Sequence, residues 1–182
     1  MTGALAADAS AVRELLARRT EAGERFFDAE AERIARLCHG MAERFARGGR
    51  LLALGVSDQA SSDARHVAVE FVHPVIVGKR ALPAMRLADP AAVGLFGAPD
   101  DIAMGIAAGD DAQVAAGLAA AAGLGLLTVA LAAAGTDVAG VPGLDHLLAV
   151  ASDDPRVVRE GHVTTYHVLW ELVHVFLEAG VA

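Results

Sequence analysis

The sequence predicts an α/β protein built on a doubly wound, mostly parallel sheet of about five strands. Three observations carry that prediction. Short apolar runs, each closed by Gly, Asp or Ser, alternate with stretches of helical periodicity. Hydrophobic residues make up 54% of the chain but aromatics only 4%, so the core must be built from Ala, Val and Leu, which suits helices packed closely on a sheet. The 182 residues are enough for one domain with a real core, read as a single unit over 1–182 with a helical arm over 1–48 and an α/β core over 49–182.

From residue 9 to residue 47, Val12, Leu15, Leu16, Phe26, Phe27, Ile34, Leu37, Met41 and Phe45 recur at helical spacing among Glu and Arg. They predict one long amphipathic helix, or two with a break near Thr20 to Gly23, stopped by Gly48 and Gly49. "RLLALGVSD" then reads as a buried parallel strand and its exit turn. A helix over 60–72 follows, ended by Pro74, which leaves His73 at a frayed end. "ALPAMRLAD" and "DIAMGIAAG" predict two more strands; "PAAVGLFGAPD" between them is too short and too rich in Gly and Pro for a full crossover helix. A helix over 111–122, a strand "LGLLTVALAA", a loop holding Gly135, Gly140, Pro142 and Gly143, and a strand "HLLAVAS" come next. The terminal helix spans 155–179, with Pro155 in its first turn and Asp153 or Asp154 as its cap.

Composition excludes several functions. A formal charge of −8, with basic residues spread along the chain, argues against a nucleic-acid surface. Cys38 is the single cysteine, so no internal disulfide framework exists, and a reducing, cytoplasmic setting is expected. The N-terminus lacks the apolar run of a signal peptide. The apolar stretch 112–134 reads as a buried helix followed by a buried strand, so no membrane partner is expected.

Two octets concentrate the chemistry. "HVAVEFVH" over 66–73 and "HVLWELVH" over 167–174 hold four of the seven histidines as His-x-x-x-Glu-x-x-His. Positions i, i+4 and i+7 share a helix face, so His66, Glu70 and His73, and separately His167, Glu171 and His174, can each direct three polar groups one way. Imidazole and carboxylate together suit zinc, manganese or iron; in contact they also form an acid/base pair. The plain alternative is a polar helix stripe. Glu160 and His167 also share a face, with His162 turned away by about 140°; His162 either serves another subunit's site or caps a polar surface. Ser57, Ser61 and Ser62, at the carboxyl end of the first strand and before a helix N-terminus, are either a phosphate cradle or ordinary caps. Trp170 is read as packing.

The order of a helical arm, "GGRLLALG", a Ser-rich turn, "DARHVAVEFV", "LPAMRLAD" and "ASDDPRVVREGHVTTYHVLWELVHVFLE" resembles the sugar isomerase (SIS) domain and, within it, the phosphoheptose isomerase family. Asp63, Ala64, His66 and Glu70 match that family's Asp-Ala-x-His-x-x-x-Glu; Glu160, His162 and His167 match its Gln-Glu-x-His-x-x-x-x-His. The resemblance implies a flavodoxin-like sheet, a homodimer or homotetramer with sites at subunit interfaces, a carbohydrate phosphate as ligand, and no nucleotide cofactor. It implies Glu70 and His167 as the acid/base pair of an aldose–ketose isomerase; Ser57, Ser61 and Ser62, by their place before the helix, and Asp63 of the matched motif are the candidate substrate-binding residues. It further implies a divalent metal, zinc foremost, on His66, Glu70 and His167; Glu171 and His174 remain further candidate ligands by helix-face spacing alone. The family's fourth ligand position is Arg159 here, which cannot ligate.

Three departures qualify the likeness. The first turn reads "GVSDQASSDA" where the family has Gly-Asn-Gly-Gly-Ser. The segment aligned with its Ser-Thr-Ser-Gly-Asn-Ser phosphate loop is "AAGDDA", residues 107–112, without a hydroxyl and with Asp110 and Asp111, which repel phosphate. A helix between the second and third strands is missing. Three readings therefore stand: an isomerase; a non-catalytic domain of this kind that binds a carbohydrate phosphate or a protein partner through oligomerisation; and a di-metal protein built from Glu70-x-x-His73 and Glu171-x-x-His174.

Overall fold

The structure, a computed structural model, describes residues 2–74 and 76–180, the side chains of residues 2–7 apart. Its elements in chain order are α1 (Thr2–Ala46), β1 (Leu51–Leu54), α2 (Asp58–Val72), β2 (Ala84–Leu87), a 3-10 turn (Pro90–Ala92), α3 (Val93–Phe96), β3 (Ile102–Ala107), α4 (Ala112–Gly123), β4 (Leu127–Ala133), β5 (His146–Val150) and α5 (Pro155–Ala179).

All five strands are parallel, in the order β2-β1-β3-β4-β5. The chain leaves β1 for β2 on one side and returns to β3 on the other, so the strand order reverses between β1 and β3. In open α/β sheets that reversal opens a crevice at the carboxyl ends of the strands.

Side chains alternate along the strands and so divide the core in two. Leu51, Ala53, Ile102, Met104, Val129 and Leu131 face α1, α2 and α5; Leu52, Leu54, Ala103, Ala107, Ala130 and Ala132 face α3 and α4. Small residues let the second layer pack closely. A Cβ placed on Gly105 of β3 would meet Leu118 Cδ1 at 2.6 Å and Val114 Cγ1 at 2.8 Å. Beneath the sheet, Arg50 and buried Asp101 pair at 2.6 Å and tie the entry of β1 to that of β3. Burial raises the Asp101 carboxyl, but the Arg50 hydrogen bonds outweigh it and hold the group below its ordinary range.

Several expectations change. α1 is one continuous helix, without a break at 20–23, because Thr20 and Gly23 sit where the next turns already dock Phe26 and Phe27 on the core. α2 starts at Asp58 rather than 60, since Ser57 caps it through Ala60 N–H to Ser57 Oγ at 3.3 Å. The segment between β2 and β3 holds only the 3-10 turn and the single turn α3, as its length requires.

Candidate active site

α2 leaves the end of β1 and α5 follows β5, and the two helices lie side by side in the same direction. Three contacts mark their shared edge: Asp63 with Arg159, His66 with Tyr166, and Glu70 with His167. The lower contact borders a cavity at the strand-order reversal; the upper two form a separate polar cluster.

The cavity is about 460 Å³. Its lining includes Ser57 and Asp63 of the β1–α2 region, Gly109, Asp110 and Asp111 of the β3–α4 turn, and Arg156, Arg159 and His162 of α5. Asp63, 4% exposed, accepts two-pronged hydrogen bonds from Arg159, Nε to Oδ2 at 3.0 Å and Nη2 to Oδ1 at 2.9 Å. The Asp63 hydrogen bonds, followed by its negative charge, make the Arg159 guanidinium hold its proton more tightly than usual. Arg159 thus tethers α5 to α2 through its Nε and Nη2. His162 is buried beneath this cavity, and burial pushes its imidazole down to about 4, so it is neutral at pH 7.

In the upper cluster, His66 Nε2 lies 3.2 Å from Glu70 Oε1, and His167 Nε2 lies 3.7 Å from the same oxygen. The side chain of Glu70 is 18% exposed, against 45% for His66 and 40% for His167, so the carboxylate sits inward with an imidazole on each side. One ligand atom from each residue falls within 4.8 Å of the other two. Tetrahedral bonds of about 2.0–2.1 Å place neighbouring ligand atoms about 3.3–3.4 Å apart, close to both Glu70 distances. These three residues could hold a divalent ion.

Tyr166 supplies the outer support. Its hydroxyl lies 3.0 Å from His66 Nδ1. Burial, with the Asp63 charge second, pushes its phenol up to about 12, so it stays protonated. A hydroxyl can donate to Nδ1 or accept from it, so Tyr166 can hold His66 with its Nε2 proton turned to Glu70 or with a bare Nε2 lone pair.

The remaining candidates are placed elsewhere. His174 is buried, with Nδ1 2.8 Å from the Trp170 carbonyl oxygen and Nε2 3.0 Å from that of Arg80, so both nitrogens are engaged. Glu171 is exposed and apart from the cluster, and His73 is an exposed C-cap. The paired Glu-x-x-His arrangement of a di-metal bundle is therefore not assembled within this chain. Ser61 and Ser62 do not line the cavity, because α2 already begins at Asp58 and carries them into its body. Trp170 packs in the core, as its burial shows. Sequence reasoning missed the Asp63–Arg159 tether, the role of Tyr166 and the burial of His162; only the adjacency of Tyr166 to His167 hinted at any of them.

No protein-family model matches the chain. A phosphoheptose isomerase of Solidesulfovibrio magneticus is 36% identical to it over 175 residues, covering 85% of this chain and 84% of that protein. The chain belongs to the phosphoheptose isomerase family. Among solved structures, a phosphoheptose isomerase from Francisella tularensis superposes with a TM-score of 0.83 at 18% identity, over 92% of this chain and 98% of that one. The Vibrio vulnificus NanR protein, solved with ManNAc-6P, gives a TM-score of 0.64 at 17% identity, covering 97% of this chain and 67% of that one. The shared fold is the sugar isomerase domain, and the His66, Glu70 and His167 cluster lies on the two helices whose motifs match the family. Among the described residues no helix is long and apolar enough to cross a membrane.

Proposed function

We propose that this protein is an aldose–ketose isomerase acting on a sugar phosphate, with Glu70 and His167 as its acid/base pair. The observation that carries the reading is one carboxylate, half-withdrawn from solvent, lying 3.7 Å from His167 Nε2 and 3.2 Å from His66 Nε2 within a single chain. Glu70 takes the proton from the carbon next to the carbonyl and returns it to the former carbonyl carbon. His167 gives a proton to the carbonyl oxygen as the other hydroxyl loses one, so substrate and product remain isomers. The transfer is redox-neutral and calls for no nucleotide cofactor.

In the metal-assisted form of this reading, His66, Glu70 and His167 would instead hold a divalent ion, zinc by their ligand chemistry, which would polarise the sugar carbonyl in place of a proton from His167. Arg159, bound to Asp63, adds no ligand. Tyr166 would then accept from His66 Nδ1–H and fix the ring. Zinc content measured after incubation and dialysis tests this: about one ion per chain is expected, lost in His66→Ala.

The reading also takes the chain as one domain in the cytoplasm that self-associates, with Val12, Leu15 and Leu16 exposed along the outer half of α1 as a self-association face. Light scattering that gives a monomer would remove that part. A non-catalytic carbohydrate-phosphate binder is the second reading, favoured by the absence of hydroxyls from residues 107–112. A panel of sugar phosphates separates the two. Turnover abolished by Glu70→Gln supports the isomerase; binding without turnover supports the second reading.

A further inference from the structure

The β3–α4 turn, where a family member would seat a phosphate on hydroxyls and amides, is already filled by the chain's own carboxylates. Asp111 N–H donates to Asp137 Oδ1 at 2.8 Å, and Val138 N–H donates to the same oxygen at 2.7 Å. Asp137 N–H donates to Asp110 Oδ1 at 3.0 Å, and Val114 N–H to Asp111 Oδ1 at 3.1 Å. Two backbone donors of the turn, Asp111 N–H and Val114 N–H, are thus committed to carboxylates, and Asp110 and Asp111 face the same cavity with negative charge.

The cations of that cavity come from α5. Arg156 and Arg159, one turn apart, both line it. Arg156 uses Nε and Nη2 on Asp154, and Arg159 uses Nε and Nη2 on Asp63. In each case Nη1 has no partner among the described residues. Two guanidinium groups with spare donors suit a phosphate dianion, which prefers short, charge-assisted bonds.

We propose that the phosphate of the sugar is seated on Arg156 and Arg159 of α5 and not on the β3–α4 turn. This rests on the isomerase reading for the identity of the ligand. Arg159 and His167 are eight residues apart, about 12 Å along the helix, which favours an extended, open-chain sugar between seat and acid/base pair.

Calorimetric binding of a phosphoheptose, of the free heptose and of inorganic phosphate to the whole chain tests the proposal, using Arg156→Gln and Asp110→Asn. Arg156 is exposed at the start of α5, and the Asp110→Asn change keeps an acceptor for Asp137 N–H, so both variants are expected to fold. Arg156→Gln should weaken phosphoheptose and inorganic phosphate binding about tenfold or more, the worth of one charged hydrogen bond, and leave free heptose binding unchanged. Equal phosphoheptose affinity in Arg156→Gln and the native chain would overturn the seat, as would a large gain from Asp110→Asn without a loss from Arg156→Gln. If the seat fails while Glu70-dependent turnover is intact, the isomerase reading stands. If Arg156→Gln weakens binding but no turnover occurs, the seat stands and the isomerase reading falls. A native chain that binds neither phosphoheptose nor inorganic phosphate overturns the seat.

Discussion

Replacing Arg159 by Ala should destabilise the protein through a residue 96 positions away in sequence. Asp63 is 4% exposed, and Arg159 supplies the side-chain hydrogen bonds that its carboxylate receives. Removing one partner of a fully buried pair costs about 3–5 kcal/mol. The Arg159 side chain is 42% exposed, however, so water can reach the space it vacates. That discount brings the expected loss to about 2 kcal/mol. For a chain of this size the corresponding fall in Tm is about 4–8 °C. The assay is a calorimetric melt of the native chain, Arg159→Ala, Asp63→Asn and the double variant Asp63→Asn/Arg159→Ala. The double variant should recover most of the loss, because no uncompensated carboxylate remains buried. Because the pair ties α2 to α5, Arg159→Ala should also lower turnover by loosening Glu70 from His167. A melt unchanged within about 1 °C, or a double variant worse than either single one, would refute the reasoning.

Three further outcomes follow from the same contacts. The His162 imidazole, lowered from 6.5 to about 4 by burial, stays neutral when folded while the unfolded chain takes up a proton; stability is therefore complete above about pH 6.5 and falls by up to about 3 kcal/mol as pH drops toward 4. Denaturant titrations should show that slope reduced in His162→Leu; an identical slope in both proteins would count against it. Tyr166→Phe removes the hydroxyl at 3.0 Å from His66 Nδ1 and should cut turnover about tenfold or more and zinc affinity within the range of about 10–100-fold typical of outer-shell partners, with Tm nearly unchanged; full activity in this variant would show that His66 needs no such support. Cys38 is buried, and its thiol is pushed up to about 12 by burial, so a thiol reagent should leave the native protein unmodified and label it only on unfolding; rapid labelling of the native protein would contradict that burial.

The fold was legible in the sequence because each strand is a short, mostly apolar run ended by a turn residue, and because α1 and α5 carry helical periodicity. His66, Glu70 and His167 were legible through motif spacing, which fixed the helix faces and which the structure then brought together. Spacing along one helix could not say what lay opposite. His174 shares its helix face with His167, yet its nitrogens meet the Trp170 and Arg80 carbonyls because the loop after α2 crosses α5 there. The Asp63–Arg159 tether was hidden for the same reason, and in isolation Arg159 read only as a lost ligand. Asp110 and Asp111 were legible as obstacles to phosphate, but their engagement with the Asp137 turn depends on a loop contact across more than twenty positions.

The proton transfer itself gives the most direct test. Incubating the protein with a phosphoheptose in deuterated water and following the carbons next to the carbonyl by NMR reports the exchange proposed for Glu70. Solvent deuterium should enter those positions with the native chain, and the rate should fall by about 100-fold or more in a folded Glu70→Gln variant, the scale of general acid–base catalysis. Exchange at the native rate in Glu70→Gln, or turnover of the sugar phosphate that does not depend on Glu70, would contradict the assignment.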